Sequence, residues 1–371
     1  MGVPKGMPYW LPMLKKIITW LHLWLGLASG AIVVILSLTG CILVFEQEIK
    51  NLLGTEVRIA VQDRSKLLPP SVLYREISRA IPGRQINTVW YYGLSKPSVV
   101  ALQDSSVYIN PYTAKIISFK RQEDIFHFIE EGHRHLWMGK KVGKMVVGCA
   151  TLVFVVLLLT GLVLWWPKKW NKKATQQNFK IKWGARIKRF NYDLHNVLGF
   201  YSLTIALLLA ITGLVISFTW FSNSIYWLTG GRPQTQRPVK ELFRDSPNPM
   251  LQNVDQVWYE VRNHIAVDHI DDIIVSFPDE PNEAIYACTD MKDGIWRDLF
   301  FNPVDLSLTK ESGKQFKDLI FSDKVRKLNY AMHVGAIGGL TTKIIFFLVS
   351  LICASLPITG FYIWWFKRKK G

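Results

Sequence analysis

The sequence predicts a membrane all-α protein: a four-helix transmembrane bundle with two outward-facing small α+β modules, laid out as an internal two-fold repeat. Three observations predict it. Apolar residues gather into four long runs, roughly 17–45, 145–166, 194–221 and 344–366. Positive charge concentrates in the short segments that flank those runs. The two halves of the chain carry matching motifs at matching distances.

The runs come first. A span needs about 20 apolar residues to cross a hydrocarbon core of about 30 Å, and all four qualify. In lipid each must be helical, because only a helix satisfies its own backbone hydrogen bonds there. The first run is too long for the 7–15-residue core of a signal peptide and lacks a clean small-residue cleavage site, so it reads as a retained span. The expected organisation is a first helix with its N-terminal flank (1–45), an outer module (46–140), a second helix (141–166) and a basic loop (167–193). A third helix (194–221), a second outer module (222–335) and a fourth helix with a basic tail (336–371) complete it.

Charge orients the spans. Lys15 and Lys16 precede the first, PKKWNKKATQQNFKIKWGARIKRFNYD follows the second, and KRKKG ends the chain. With Lys5 nearer the N-terminus, these stretches hold 16 of the 45 Lys and Arg, with Asp193 their only acid, whereas the long loops 46–144 and 222–343 are close to charge-balanced. By the positive-inside rule both termini and the 167–193 loop are cytoplasmic and both long loops face outward. In a bacterium that means the inner membrane, with the long loops periplasmic. The rule also accounts for the net charge of +17 without any nucleic acid. Trp165–Trp166 and Trp364–Trp365, each just before a Lys-rich tail, fit an interfacial aromatic belt. Four scattered cysteines form neither a CxxC pair for zinc nor a CxxCH haem-attachment site, and read as apolar fillers.

The repeat locates the chemistry. LHLWLGLASG parallels DLHNVLGFYS, so that His22 and His195 each precede a Leu-Gly pair, and Thr39-Gly40 and Thr212-Gly213 follow at equal distance. The second and fourth spans end alike, in TGLVLWWPKKW and TGFYIWWFKRK. In the loops VYINPYTAKII parallels LFFNPVDLSLT, and each reads as a strand, an Asn-Pro turn (Asn110-Pro111, Asn302-Pro303) and a return strand. Upstream of each, Ser71–Ile81 and Val254–Ile265 show helical apolar spacing. Aromatic residues such as Trp90, Tyr91, Tyr92 and Trp258 then read first as sheet core.

On the strength of HRHLWMG, TGLVLWWP, AMHVGAIGG and the paired Asn-Pro modules, nearly the whole chain resembles the PepSY-associated transmembrane-helix family. Some members of that family are inner-membrane ferrisiderophore reductases carrying b-type haem; others are iron-regulated membrane proteins of unassigned activity. The resemblance therefore implies the architecture, and it implies haem b and a ferric siderophore as the cofactor and acceptor to test.

The histidines carry a chemical argument of their own. Five of the eight mark helix starts: His22, His133 or His135, His195 and His333. His22 and His195 fall in the cytoplasmic half of outward-running spans. His133 or His135 and His333 fall at the outer interface of inward-running ones, or slightly proud of it. Each side of the membrane thus has two histidines on different helices. One interfacial histidine is unremarkable, but ionisable groups inside spans are costly and usually functional. Two imidazoles facing each other across a bundle suit axial ligation of a haem iron. For the partner of His333, His133 matches the family's pattern, and His135 is the alternative. The two lie about 200° apart on a helix and cannot both face one haem. Arg134, beside them, either pairs with a haem propionate or snorkels to head groups.

No GxGxxG opens a βαβ unit and no Walker-type loop is present, so electrons are expected from a separate donor, a cytosolic flavoprotein or membrane quinol. The expected function is transmembrane electron transfer through two haems, with reduction of a ferric siderophore outside. Two rivals belong to other classes: a haem-free regulatory or binding protein acting through its outer modules, and a histidine-based metal transporter. The absence of acids beside the histidines in the apolar runs weighs against the transporter, and the colour of the purified protein separates haem from both.

Overall fold

The computed structural model describes residues 10–53, 57–103, 105–121, 124–167, 170–231, 250–280, 282–292, 294–310 and 312–368. The first half runs α1 (Trp10–Leu43), α2 (Glu46–Leu52), α3 (Pro70–Ala80), β1 (Ile86–Tyr92), β2 (Ser98–Leu102), β3 (Ser105–Ile109), β4 (Ile116–Arg121), α4 (Ile125–His135) and α5 (Lys140–Trp165). Between the halves lie α6 (Lys172–Phe179) and α7 (Ile187–Asp193), which continues through a π turn, Leu194–Leu198, into α8 (Gly199–Ser217). Then follow α9 (Thr219–Leu228), α10 (Met250–Glu260) with a π turn at Val261–Ile265, β5 (Asp272–Ser276), β6 (Ile285–Lys292), β7 (Ile295–Phe301), α11 (Phe321–His333) and α12 (Gly339–Arg368).

The chain folds as two compact units. One comprises Met1–Glu46, Phe128–Ser222 and Met332–Gly371. Among its described residues are four helical stretches long and apolar enough to cross a membrane, Met13–Leu43, Lys140–Trp165, Ile187–Ser217 and Gly339–Arg368. The chain is a multi-pass membrane protein. The second and fourth helices begin several residues before their apolar runs, because Lys140, Lys141 and Lys144, or Thr341, Thr342 and Lys343, are adequate residues for a first helical turn. The third begins at Ile187 and so takes in Asp193, an acid that the apolar run excludes; it is fully buried and paired with Arg189 at 2.8 Å. In this unit α1 packs on α5 and α12, and α8 packs on the same two, which sets α1 and α8 diagonally across the bundle. Leu158, Ala206, Val349 and Cys353 fill part of the interior, and Gly30 takes Pro357 of α12 against its backbone, where a Cβ would stand 3.1 Å from the proline ring.

The other unit comprises Gln47–His127 and Asn223–Ala331. Where the sequence predicts two separate modules, one antiparallel sheet of seven strands runs through both segments in the order β4-β3-β2-β1-β5-β6-β7. The joint is β1 on β5, with Thr88 opposite Ser276, Trp90 opposite Ile274 and Tyr92 opposite Asp272. Separate modules would leave both strands as open edges, and pairing removes that liability. It also suits the composition of β5, whose Ile273, Ile274 and Val275 are all buried. Helices α3 and α10 pack together against the sheet, with Leu73, Ile77, Tyr91 and Trp258 in the core. Asp255 of α10 accepts hydrogen bonds from the Ser71 backbone N (2.8 Å) and hydroxyl (2.6 Å), satisfying a free donor in the first turn of α3. Burial nonetheless raises the Asp255 carboxyl above its ordinary pKa.

Both Asn-Pro turns close in the same way. Asn110 Oδ1 accepts from the Tyr112 backbone N at 2.9 Å, and Asn302 Oδ1 from that of Val304 at 2.9 Å. Each loop ends in a residue with left-handed backbone, Ala114 or Leu306. The return strands differ: β4 is a full strand, whereas after Asn302 the expected strand is reduced to a single bridge, Phe301 to Leu308.

Candidate functional site

Four histidines of the membrane unit meet as two pairs. His22 of α1 faces His195, in the π turn that leads into α8, with ring centroids 6.4 Å apart and planes at 89°. His133, near the end of α4, faces His333, the last residue of α11, at 6.2 Å and 53°. His135 is directed elsewhere: it is buried and its Nδ1 lies 3.0 Å from Glu131 Oε2. Arg134 is exposed and engaged with Glu130 at 2.8 Å.

Each of the four rings sits in the same kind of pocket, built by a Thr-Gly step on a neighbouring helix. His22 Nδ1 lies 2.9 Å from Thr160 Oγ1, and His195 Nδ1 lies 2.9 Å from Thr359 Oγ1. His133 Nδ1 is 3.0 Å from Thr39 Oγ1, and His333 Nδ1 is 2.9 Å from Thr212 Oγ1. The glycine that follows each threonine is the floor. A Cβ added at Gly40, Gly161, Gly213 or Gly360 would stand 3.3 Å from Cε1 of the ring it carries. Any larger residue would push the imidazole away.

The threonines also fix the tautomer. Every one of these hydroxyls donates back to the carbonyl four residues earlier: Thr39 to Ile35 (2.7 Å), Thr160 to Val156 (2.7 Å), Thr212 to Leu208 (2.8 Å) and Thr359 to Ser355 (3.0 Å). With its proton so committed, the hydroxyl meets the imidazole as an acceptor, so Nδ1 carries the hydrogen. In the neutral ring Nε2 is then the unprotonated nitrogen, and among the described residues it has no protein hydrogen-bond partner in any of the four. The carbonyl of the leucine three places before the threonine supports the arrangement, most directly Leu356 O at 3.1 Å from His195 Nδ1.

The spacing admits one metal per pair. Two imidazole nitrogens bound on opposite sides of one ion, about 2 Å from it each, put their ring centroids about 6 Å apart. Among the described residues no group of three or more His, Cys, Asp or Glu gathers in this way. Each site therefore offers two imidazole donors, and a metal held there would have to bring its remaining ligands with it. The separation of the sites follows from the helices: His22 and Thr39 are 17 residues apart on α1, or roughly 25 Å at the helical rise. His133 lies at the depth of Gly40, inside α1 and not beyond its end. It is brought there by the turn after α4, where Leu136, Trp137 and Gly139 take left-handed backbone and Gly143 packs bare against the His135 carbonyl.

The threonines and glycines were visible in the sequence as landmarks of similarity and not as parts of a site. The stronger signal is LxxTG, present once in each span as LSLTG, LLLTG, LAITG and LPITG (residues 36–40, 157–161, 209–213 and 356–360). Glycines nearer the histidines in sequence serve packing or turns instead: Gly26 meets Leu157, Gly199 meets Leu356, and Gly335 has left-handed backbone.

A family described as the PepSY-associated TM region matches residues 19–367. No curated protein matches the chain.

Proposed function

We propose that the chain, which belongs to the PepSY-associated TM region family, is a di-haem b-type electron-transfer protein of the bacterial inner membrane that reduces ferric chelates at the outer face. The observation that carries this reading is the pair of facing imidazole couples, 6.4 and 6.2 Å between centroids, each ring tied through Nδ1 and left with Nε2 available. His22 and His195 would hold one haem and His133 and His333 the other. When bound, haem supplies one-electron chemistry that the side chains of this protein lack, and its porphyrin provides the ligands a two-histidine site omits.

The chain's own part is placement and environment. Diagonal helices set the first couple, and the turns after α4 and α11 bring in the second. The equivalence of the four LxxTG pockets, and of the two Asn-Pro turns, supports an internal two-fold repeat with one PepSY-like module contributed by each half. The basic segments support cytoplasmic termini and periplasmic sheet-bearing segments.

A ferric siderophore is the acceptor of choice because its hard oxygen donors hold iron(II) far less well than iron(III), so that one-electron reduction releases the metal. The donor is a cytosolic flavoprotein or quinol. Substitution tests the assignment: His22→Ala or His195→Ala is expected to remove about half of the bound haem and leave the other centre. Unchanged haem stoichiometry in both variants contradicts it.

A further inference from the structure

The four threonines of the LxxTG steps have a role beyond helix packing. We propose that Thr160 and Thr359 set the reduction potential of the centre held by His22 and His195, and that Thr39 and Thr212 do the same, separately, for the centre held by His133 and His333. This rests on the haem reading above. The argument is geometric. Each hydroxyl lies 2.9–3.0 Å from the Nδ1 of one histidine and gives its own proton to a backbone carbonyl. An acceptor on Nδ1–H draws that proton away and makes the opposite nitrogen a stronger donor to a metal. A stronger donor favours the oxidised, more highly charged iron and lowers its potential.

The wiring is reciprocal within each half of the chain. His22 of α1 uses Thr160 of α5, while His133, in the helix preceding α5, uses Thr39 of α1; likewise His195, in the turn leading into α8, uses Thr359 of α12, while His333, in the helix preceding α12, uses Thr212 of α8. Each of these four helices therefore carries one hydroxyl that meets a histidine ring and acts on one centre only. Because the sites stand roughly 25 Å apart along the helices, a hydroxyl of one cannot reach a ring of the other. The two potentials can thus be moved independently by changes that leave every ligand in place. Thr359 has the strongest backup, since Leu356 O is already 3.1 Å from the same Nδ1. Thr359→Val should therefore have a smaller effect than Thr160→Val.

The test is a mediated redox titration of the full-length purified protein, followed in the haem visible bands, with low-temperature electron paramagnetic resonance of the oxidised form. The samples are wild type, Thr160→Val, Thr359→Val, Thr39→Val, Thr212→Val and the matching Thr→Ser variants. Valine keeps the shape and removes the acceptor; serine keeps the acceptor. The expected result is two wild-type components, of which one moves to higher potential in Thr160→Val and the other in Thr39→Val and Thr212→Val. The low-spin g values of the affected centre alone should shift, and serine should restore both readouts. Haem affinity at the altered site should fall by about tenfold or more. Haem-loaded valine variants with wild-type midpoints and g values overturn this inference and leave the haem assignment standing. So does a valine shift that serine fails to restore. Colourless wild-type protein from haem-sufficient cells overturns both.

Discussion

His22 and His195, 173 positions apart in the chain, bring their imidazoles to 6.4 Å with the ring planes nearly perpendicular, at 89°. No local interaction produces this. Each ring is oriented by a threonine on a different helix, Thr160 for one and Thr359 for the other, so the couple exists only when all four spans are assembled. His133 and His333 are likewise oriented from elsewhere in the chain, by Thr39 of α1 and Thr212 of α8.

The two histidines of HRH are expected to behave differently. His133→Ala should remove one of two haems. His135→Ala should keep both, because His135 bonds Glu131 and faces away from His333. Losing the hydrogen bond to the partly exposed Glu131 costs about 0.5–1.5 kcal/mol, so His135→Ala should lower thermal stability while the haem content per folded chain stays at the wild-type value. Haem quantitation on monodisperse fractions checks this.

Glycine floors give a graded prediction. Gly161→Ala and Gly360→Ala place a Cβ 3.3 Å from a ring carbon, and the ring must retreat by a few tenths of an ångström. The haem they affect should show altered visible and resonance Raman bands or reduced occupancy. Gly26→Ala, whose Cβ would find Leu157 at 3.8 Å, is the control and should leave the spectrum unchanged. Equal effects from all three would show that the change acts through helix packing.

Helices, spans and candidate histidines were legible in the sequence because each has a local cause: apolar length, charge asymmetry and residue type. The β1–β5 joint was not. Thr88 and Ser276 are opposed across nearly 190 residues, and each strand alone reads as a plausible edge. The choice between His133 and His135 depends on the turn at 136–139, where non-glycine Leu136 and Trp137 adopt left-handed backbone that their residue types do not announce. The LxxTG pockets were written plainly in all four spans. Threonine and glycine are common in membrane helices, so their meaning appears only when a ring is found on each.

The sheet-bearing unit should be separable from the histidine pairs in its effects on stability. Arg262 is buried, donates from Nε to Asp271 Oδ1 at 3.0 Å, and reaches the Arg64 carbonyl at 2.8 Å; Arg64 Nε shares the same carboxylate oxygen at 2.8 Å. Arg262→Ala removes one of two cations from Asp271 and leaves the Arg64 carbonyl without that donor. Because Arg64 still pairs with Asp271, it should destabilise this unit by about 1–3 kcal/mol, seen as faster proteolysis within 57–103 and 250–310. The haem spectrum of the intact fraction should not change.

The most direct test of the account is a dithionite-reduced-minus-oxidised visible spectrum of the detergent-purified chain, with a pyridine haemochrome count. The account predicts sharp α-band absorption and two b-type haems per chain, falling to one in His195→Ala. A colourless protein from haem-sufficient cells, or a haem content indifferent to His22, His195, His133 and His333, would contradict it.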